Sequence, residues 1–159
     1  MRVYLFLVIS ILLFSCKTEE SDSLNFIPQE TIDYTEVNDQ EIQDYLAANE
    51  LTATKSDTGL YYIIEQQGSG DMPTANSNVT VAYKGFFTNG VVFDESNTEG
   101  VSFNLRGLIP GWAEGIPYFN EGGNGLLLVP SHLGYGSTII PGIPVGSVLI
   151  FEIDLKTIN

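Results

Sequence analysis

The pattern of apolar and polar positions changes near residue 57 of this 159-residue chain. Beyond that point, residues 79–83 alternate between valine or tyrosine and smaller or polar side chains, a period of two that is typical of a half-buried strand. Asn89 and Gly90 follow, a pair that readily adopts positive φ and favours a hairpin turn. Further strands are predicted from short apolar or alternating runs at 60–65, 125–129 and 147–155. Residues 58–159 are therefore expected to fold mainly as strands joined by turns.

One segment of this region has helical spacing instead. Within 109–119, apolar residues at i, i+3 and i+7 face one side, namely Ile109, Trp112 and Ile116. Pro110 stands near the start, where a missing N–H is tolerated. Pro117 forbids a regular hydrogen bond back to Ala113, so we expect a helix of no more than about two turns, or a kinked one. Several short strands with one short helix indicate an antiparallel α+β domain.

A second helix is predicted before the strand-rich region, at residues 38–50. Asn38 has the side chain of a helix N-cap, and Glu41 stands three residues later, as in a capping box. A narrow apolar stripe follows at i, i+3 and i+4, formed by Ile42, Tyr45 and Leu46. Because so short a helix is only marginally stable in isolation, its apolar stripe needs a surface to pack against. The candidates are the domain's own surface, a second copy of the chain in a weak dimer, and a target protein.

The first residues predict an export signal. Arg2 precedes an apolar run at 3–14, which suits a secretory signal and is too short to cross roughly 30 Å of hydrocarbon at about 1.5 Å per residue. The run ends in Leu13-Phe14-Ser15-Cys16, which resembles the lipoprotein box of bacteria. Residues 1–15 are therefore expected to be a signal peptide, and Cys16 the lipidated start of the mature chain. The alternative is a signal peptide that ends near an unmodified Cys.

Residues 16–57 are then predicted to be the lipidated Cys and an acidic, flexible tether that includes the short helix. Positions 17–57 carry 11 acidic and 2 basic side chains, or −9 of the net charge of −14. All sixteen glycines lie at or after Gly59, which separates the tether from the domain at 58–159. Lys17 is not the retention residue of an inner-membrane lipoprotein, which favours the outer membrane, facing the periplasm. The acidic residues just after Lys17 indicate the cell surface as an alternative location.

Composition and charge exclude several classes of function. An excess of 20 acidic over 6 basic side chains repels phosphate and argues against nucleic-acid binding. One Cys and one His cannot build a structural zinc site or a disulfide framework, and no cofactor is implied. No Gly-x-Ser-x-Gly motif occurs, and His132 is interpreted as a surface loop residue. Asp94 and Glu95 are neighbours on a predicted strand and point to opposite faces, which argues against a paired acid and base.

Five sequence motifs of the strand-rich region occur in order. They are 79–83 with 92–94, 108–115, 121–123, 133–136 and 149–152. In this order and spacing they resemble the FKBP family of peptidyl-prolyl cis-trans isomerases, over nearly all of residues 58–159. The whole chain is also similar to the FKBP-type lipoproteins of the Bacteroidetes, a group that includes gliding-motility isomerases.

The resemblance implies an FKBP-like fold, in which a twisted antiparallel β-sheet wraps around one short α-helix with an apolar pocket between them. It assigns catalytic roles to Tyr83, Phe93, Asp94, Trp112, Tyr135 and Phe151. It assigns substrate contacts to Phe103, Leu108, Ile109 and Ile143. Trp112 is then the floor under a proline ring, and the other aromatic rings form the walls. The backbone N–H of Ile109 and the hydroxyl of Tyr135 are expected to bind peptide carbonyls, with Asp94 near the reacting imide.

The function that the resemblance implies is isomerisation of X-Pro peptide bonds, which assists the folding of exported envelope proteins. The alternative is a non-catalytic peptide-binding or chaperone module of a motility or secretion complex, with the same pocket. The implied partners are proline-containing polypeptide clients, macrolide-type inhibitors and, through Cys16, a membrane.

Three departures from the family concern the surroundings of the pocket. Ile140 stands where many relatives have a polar residue or His, in a loop at 137–145 that is slightly shorter than usual. Residues 126–128 are all Leu, so one face of that strand is expected to be exposed or covered by the stripe of the 38–50 helix. Phe87 is expected to be an exposed apolar residue.

Overall fold

The computed structural model describes residues 32–159. In chain order the regular elements are α1 (Thr35–Ala48), β1 (Thr54–Lys55), β2 (Tyr61–Gln66), β3 (Asn78–Phe86), β4 (Val92–Glu95), β5 (Val101–Asn104), α2 (Pro110–Gly115), β6 (Asn124–Val129) and β7 (Leu149–Ile158). Short 3₁₀ turns lie at Leu105–Gly107, Ile116–Tyr118 and Ser131–Leu133. The predicted α+β architecture, an antiparallel sheet with one short helix against it, is confirmed.

The seven strands form one antiparallel sheet in the order β1-β2-β6-β7-β3-β4, with β5 also paired to β3. Strand β3 is the junction of the sheet. Its whole length pairs with β7, its first half pairs with β5, and its last residues pair with β4. This arrangement brings side chains from β3, β4 and β5 to one region of the sheet, although the three strands are separated by turns.

Helix α2 lies unusually close to the sheet because two of its residues are glycine. A Cβ atom on Gly111 would lie 2.6 Å from Cγ1 of Val129, and one on Gly115 would lie 2.7 Å from Cδ1 of Leu127. Any larger residue would have to push the helix away from β6. The helix is shorter than two turns, as expected from Pro117, and gives way to a 3₁₀ turn that contains this proline.

The main apolar core lies between α2 and the sheet. Its buried members are Leu60, Val79, Val81, Leu105, Trp112, Ile116, Phe119, Leu127, Val129, Leu133, Leu149, Phe151, Ile153 and Leu155. Trp112 is 4% exposed and is the largest side chain that α2 contributes. Packing against this core, and not helix propensity, stabilises so short a helix.

Helix α1 covers the opposite side of the same strands. Ile42 and Leu46 are buried in a second apolar cluster with Leu126, Leu128 and Ile150 of the sheet. Side chains alternate along β6, so Leu127 enters the main core while its two neighbours meet the helix. The stripe of α1 therefore packs on the domain's own surface, and these two residues are not available to a second copy of the chain.

The predicted N-cap of this helix is wrong. The helix begins at Thr35, and Asn38 lies inside it, 1% exposed. Its amide is hydrogen-bonded to the backbones of Ser131 and Gly146. Glu41 accepts a hydrogen bond from the Thr88 hydroxyl instead of closing a capping box. Long-range hydrogen bonds thus use the polar atoms that local capping would have used. At its other end, the helix stops at Ala48, slightly before the predicted end.

The folded part of the chain begins before residue 58. Helix α1 packs on the sheet, and strand β1 pairs with β2, so both belong to the domain although their composition resembles the tether. The predicted signal peptide at 1–15 and the lipidation site Cys16 lie outside the described residues. No helix in the described range combines the length and apolar character needed to span a membrane.

Candidate functional site

A cavity of about 230 Å³ opens beside helix α2, in the region where β3, β4, β5 and β7 meet it. It is lined by Tyr83, Phe93, Asp94, Phe103, Gly107, Leu108, Ile109, Trp112, Tyr135 and Phe151. The structure thus brings together nine of the ten side chains that sequence analysis proposed, and Ile143 lines an adjoining depression. Gly107 was missed, because a glycine in a 3₁₀ turn carries no side chain whose chemistry would mark it.

Trp112 is the centre of the cavity lining. Its ring meets three other aromatic rings edge to face, with centroid distances of 5.1 Å to Tyr83, 5.7 Å to Phe103 and 5.3 Å to Phe151. The interplanar angles are 85–86°. This T-shaped geometry is favourable because the positive edge of one ring faces the negative face of the next. The perpendicular rings fix one another's orientation and leave an apolar space between them.

The start of α2 borders the cavity and includes a backbone N–H without a partner among the described residues. Ile109 precedes the helix, and its carbonyl accepts the N–H groups of Trp112 and Ala113. Among the described residues, no acceptor takes the backbone N–H of Ile109 itself. The indole Nε1 of Trp112 is buried and likewise has no partner within residues 32–159. Unsatisfied buried donors are rare and costly, and they are found more often where a ligand binds.

Tyr83 and Asp94 form the polar edge of the cavity. The Tyr83 hydroxyl donates a hydrogen bond of 2.7 Å to Oδ2 of Asp94. Burial of the phenol, this hydrogen bond and the negative charge of the carboxylate together raise the pKa of Tyr83 to about 12. The neighbouring Glu95 does not line the cavity, consistent with its opposite direction on the strand.

The loop at 135–146, which we call the flap, closes one side of the site. Tyr135 lies at its start and Ile143 near its end, where it borders a second depression of about 470 Å³. That depression is lined by Phe87, Val91, Val92, Phe93, Asp94, Tyr135, Ile140, Pro141, Gly142 and Ile143. Phe87 is half-buried rather than exposed as expected, because its ring packs on Phe93 at a centroid distance of 4.9 Å. The cavity and this depression share Phe93, Asp94 and Tyr135, so the cavity continues along the flap.

The residues around the cavity offer binding surfaces but no nucleophile. His132 is exposed, and its Nε2 lies 2.8 Å from the carbonyl oxygen of Thr58, outside the cavity. The described part of the chain holds no group of three or more His, Cys, Asp or Glu side chains placed to bind a metal ion. The cavity can therefore hold an apolar ring and orient peptide groups.

A family model identifies the family of the fold. The model of FKBP-type peptidyl-prolyl cis-trans isomerases matches residues 70–156. The chain belongs to this family. Its relatives include the FKBP-type isomerase FkpA of Escherichia coli K12, which is 42% identical over 114 residues, or 70% of this chain and 42% of the relative. FkpA of Buchnera aphidicola from Schizaphis graminum is 44% identical over 109 residues, or 67% of this chain and 43% of the relative.

Solved structures of FKBP-type isomerases agree with the fold. The crystal structure of FkpA from Escherichia coli has a TM-score of 0.71 at 38% identity and covers 79% of this chain and 59% of that one. A peptidyl-prolyl isomerase from Pseudomonas syringae has a TM-score of 0.67 at 27% identity, covering 81% and 98%. The chain spans less than half the length of the curated FkpA relatives.

The hydrogen bond between Tyr83 and Asp94 makes the first testable prediction. In the unfolded chain Tyr83 has an ordinary pKa of about 10, so it loses its proton above pH 10. In the folded protein the raised pKa keeps the proton in place to a higher pH, and this difference stabilises the fold. Stability should therefore be intact below pH 10 and fall as pH rises through about 12. The free energy of unfolding, measured by urea denaturation across this pH range, should decline less steeply for Tyr83→Phe than for the wild type.

Titration of the phenol by absorbance or NMR checks the cause. The transition assigned to Tyr83 should be absent in Tyr83→Phe. Asp94→Asn should lower the pKa of Tyr83 without restoring the ordinary value, because burial is the largest cause of the shift. An unchanged pKa in Asp94→Asn, with Glu95→Gln as the matched control, would contradict the assignment.

Proposed function

We propose that this chain catalyses cis–trans isomerisation of X-Pro peptide bonds in the cavity around Trp112. The observation that carries the proposal is a cavity in which the Trp112 ring meets three other aromatic rings edge to face, in a member of the FKBP-type isomerase family. The size of the space, about 230 Å³, suits a proline ring and its adjoining peptide groups better than a large cofactor.

The reaction needs no group that attacks or transfers a proton. Rotation about an X-Pro bond is opposed by a barrier of roughly 18–20 kcal/mol because the twisted amide loses its resonance. In the twisted state the carbonyl is less conjugated and less dependent on water, so a dry apolar cavity favours it over the planar states. Catalysis then consists of binding the twisted conformation more tightly than either planar one.

The lining residues take distinct parts in this binding. The Trp112 indole is the floor on which the proline ring lies. The unpartnered N–H of Ile109 donates to a substrate carbonyl, and the Tyr135 hydroxyl binds another. Asp94, held by the Tyr83 hydroxyl at 2.7 Å, is the polar group beside the reacting imide. Fixed donors of this kind need little reorganisation as the bond rotates.

The cellular setting follows from the N-terminal sequence. The apolar run at 3–14 and the box ending in Cys16 support export and lipidation, and the isomerase then works in the cell envelope on exported proteins. Outer-membrane placement and the Bacteroidetes lipoprotein type rest on the same residues. The acidic residues that precede helix α1, within 17–34, keep the domain solvated and clear of an anionic membrane surface.

Lipidation is tested by metabolic labelling with a tagged fatty acid. The wild-type chain should incorporate label and fractionate with membranes. Cys16→Ser should lose both properties while remaining a folded protein, because the position lies outside the domain described above. Label on the Cys16→Ser variant, or an unlabelled wild type, would contradict the anchor.

Isomerase activity is tested with the purified chain in a protease-free assay of a proline peptide. The wild type should accelerate the interconversion of the cis and trans forms of the peptide. Trp112→Ala should lower kcat/KM by about tenfold or more, equivalent to a loss of at least about 1.4 kcal/mol of transition-state stabilisation. The matched control is Tyr62→Ala, because Tyr62 stacks on Tyr118 at 4.3 Å and neither ring lines the cavity. Circular dichroism verifies that each variant is folded.

A second pair of variants tests the polar edge of the cavity. Asp94→Asn should reduce kcat/KM, whereas Glu95→Gln should not, since only the first side chain lines the cavity. If Trp112→Ala and Asp94→Asn were as active as the wild type, the cavity would take no part in catalysis and the proposal would be wrong. Tight binding of the peptide without acceleration would favour the alternative, a peptide-binding module that uses the same cavity.

A further inference from the structure

Asn38 occupies an unusual position for a polar side chain. It lies in α1, a helix that precedes the 70–156 range matched by the family model, and it is 1% exposed. Its two amide atoms are both satisfied, and both partners are backbone groups of distant loops. A buried amide with such partners holds the groups in place, because each unpaired atom would carry a desolvation penalty.

The two partners bracket the flap. Asn38 Nδ2 donates to the carbonyl oxygen of Gly146, the last flap residue, at 2.9 Å. The N–H of Ser131, just before the flap, donates to Asn38 Oδ1 at 2.8 Å. Across the base of the flap, Gly136 N–H donates to Ser131 O at 2.8 Å, and Gly146 N–H donates to Gly136 O at 3.0 Å. Asn38 therefore closes a ring of hydrogen bonds that joins both ends of the flap.

Tyr34, which directly precedes α1, reinforces this junction. A Cβ atom on Gly146 would collide with Cε1 of the Tyr34 ring, and Gly146 is buried with a φ of +77°. The ring thus covers the glycine on which the flap ends. Both the left-handed backbone and this contact require glycine here.

The outer part of the flap has little other support. Ile139 is 85% exposed, and the isolated bridge between Ile140 and Ile143 lies within the flap itself. Tyr135, by contrast, stands between Gly134 and Gly136, whose N–H groups both donate to Ser131 O. The position of the Tyr135 side chain at the cavity thus depends on the base of the flap more than on its tip, whereas Ile143 is held both by the flap and by its packing against the main core.

We propose that Asn38 is a positioning residue for the isomerase site: it fixes the base of the flap, so that Tyr135 and Ile143 are held against the bound peptide. The proposal rests on the proposed function, and it assigns part of the site's geometry to α1. We expect the flap side chains to bind peptide groups beside the rotating bond, whose positions change little during rotation, so loosening the flap should weaken substrate binding more than it slows the bound reaction.

The experiment compares three variants of the full chain. Asn38→Ala removes both hydrogen bonds, and Asn38→Asp keeps the shape and the acceptor for Ser131 while losing the donor to Gly146. Leu46→Ala is the control, because it removes a buried contact of the same helix roughly two turns away and leaves the flap hydrogen bonds in place. Asn38→Asp, as the isosteric variant, carries the test if Asn38→Ala does not fold.

Steady-state kinetics should show an about five- to tenfold rise in KM for Asn38→Ala with kcat within about twofold of wild type, and a smaller rise for Asn38→Asp. Leu46→Ala should destabilise the protein and leave KM unchanged. Wild-type KM in both Asn38 variants, or an equal rise in Leu46→Ala, would overturn the proposal.

Amide hydrogen exchange gives a readout that does not depend on enzyme activity. The N–H groups of Gly136 and Gly146 should exchange faster in Asn38→Ala, relative to the strand amides of β7, than in wild type or Leu46→Ala. Unchanged protection of both amides would overturn the positioning role. If the wild type were inactive while these amides responded as expected, the proposed function would fail and the link between α1 and the flap would stand.

Discussion

The close approach of helix α2 to strand β6 is the contact on which the site depends. Gly111 and Gly115 allow the helix backbone to lie against Val129 and Leu127 at distances that exclude a Cβ atom. Only in that position does Trp112 reach the space between β3, β5 and β7 and meet three aromatic rings edge to face. The sheet then supplies the walls of the cavity, and the start of the same helix supplies the free N–H of Ile109.

This geometry explains how the proposed isomerisation proceeds in a chain with one histidine and without an activated nucleophile. The perpendicular rings occupy low-energy orientations that do not fill the space between them, so an apolar cavity persists beside a well-packed core. Its polar groups are few and fixed. The hydroxyl of Tyr83 restrains Asp94 at one edge, and the flap brings Tyr135 to the other. Binding and orientation are sufficient for a reaction in which no covalent bond is broken.

Local patterns in the sequence predict those parts of the fold that depend on neighbours along the chain. Alternation indicated β3 and β7, and the two prolines around Trp112 indicated a short helix. The identity of the cavity residues came from the family motifs, because periodicity alone cannot distinguish a cavity aromatic from a core one. Strands β1 and β5 were not anticipated, since two to four residues paired to a longer strand carry no periodic signal.

Asn38 shows most clearly where local reasoning fails. Its position suggested an N-cap, but its partners lie 93 and 108 residues away in the sequence, and nothing near it in the chain reveals them. The start of the folded unit could be predicted only in part: the apolar stripe of α1 was recognised, but nothing in the sequence pattern chose the domain's own surface over a second copy or a target protein as its partner. Tertiary contacts therefore decide both the role of this asparagine and the extent of the domain.

The central claim is that a proline ring binds on Trp112, inside the cavity. It is tested most directly by intermolecular nuclear Overhauser effects between the ring protons of an isotope-labelled proline peptide and the wild-type protein. The account predicts cross-peaks from the proline ring to the Trp112 indole and to the rings of Tyr83 and Phe151, which pack around it. Cross-peaks to another surface, such as the exposed side of α1, with none to Trp112 would contradict it.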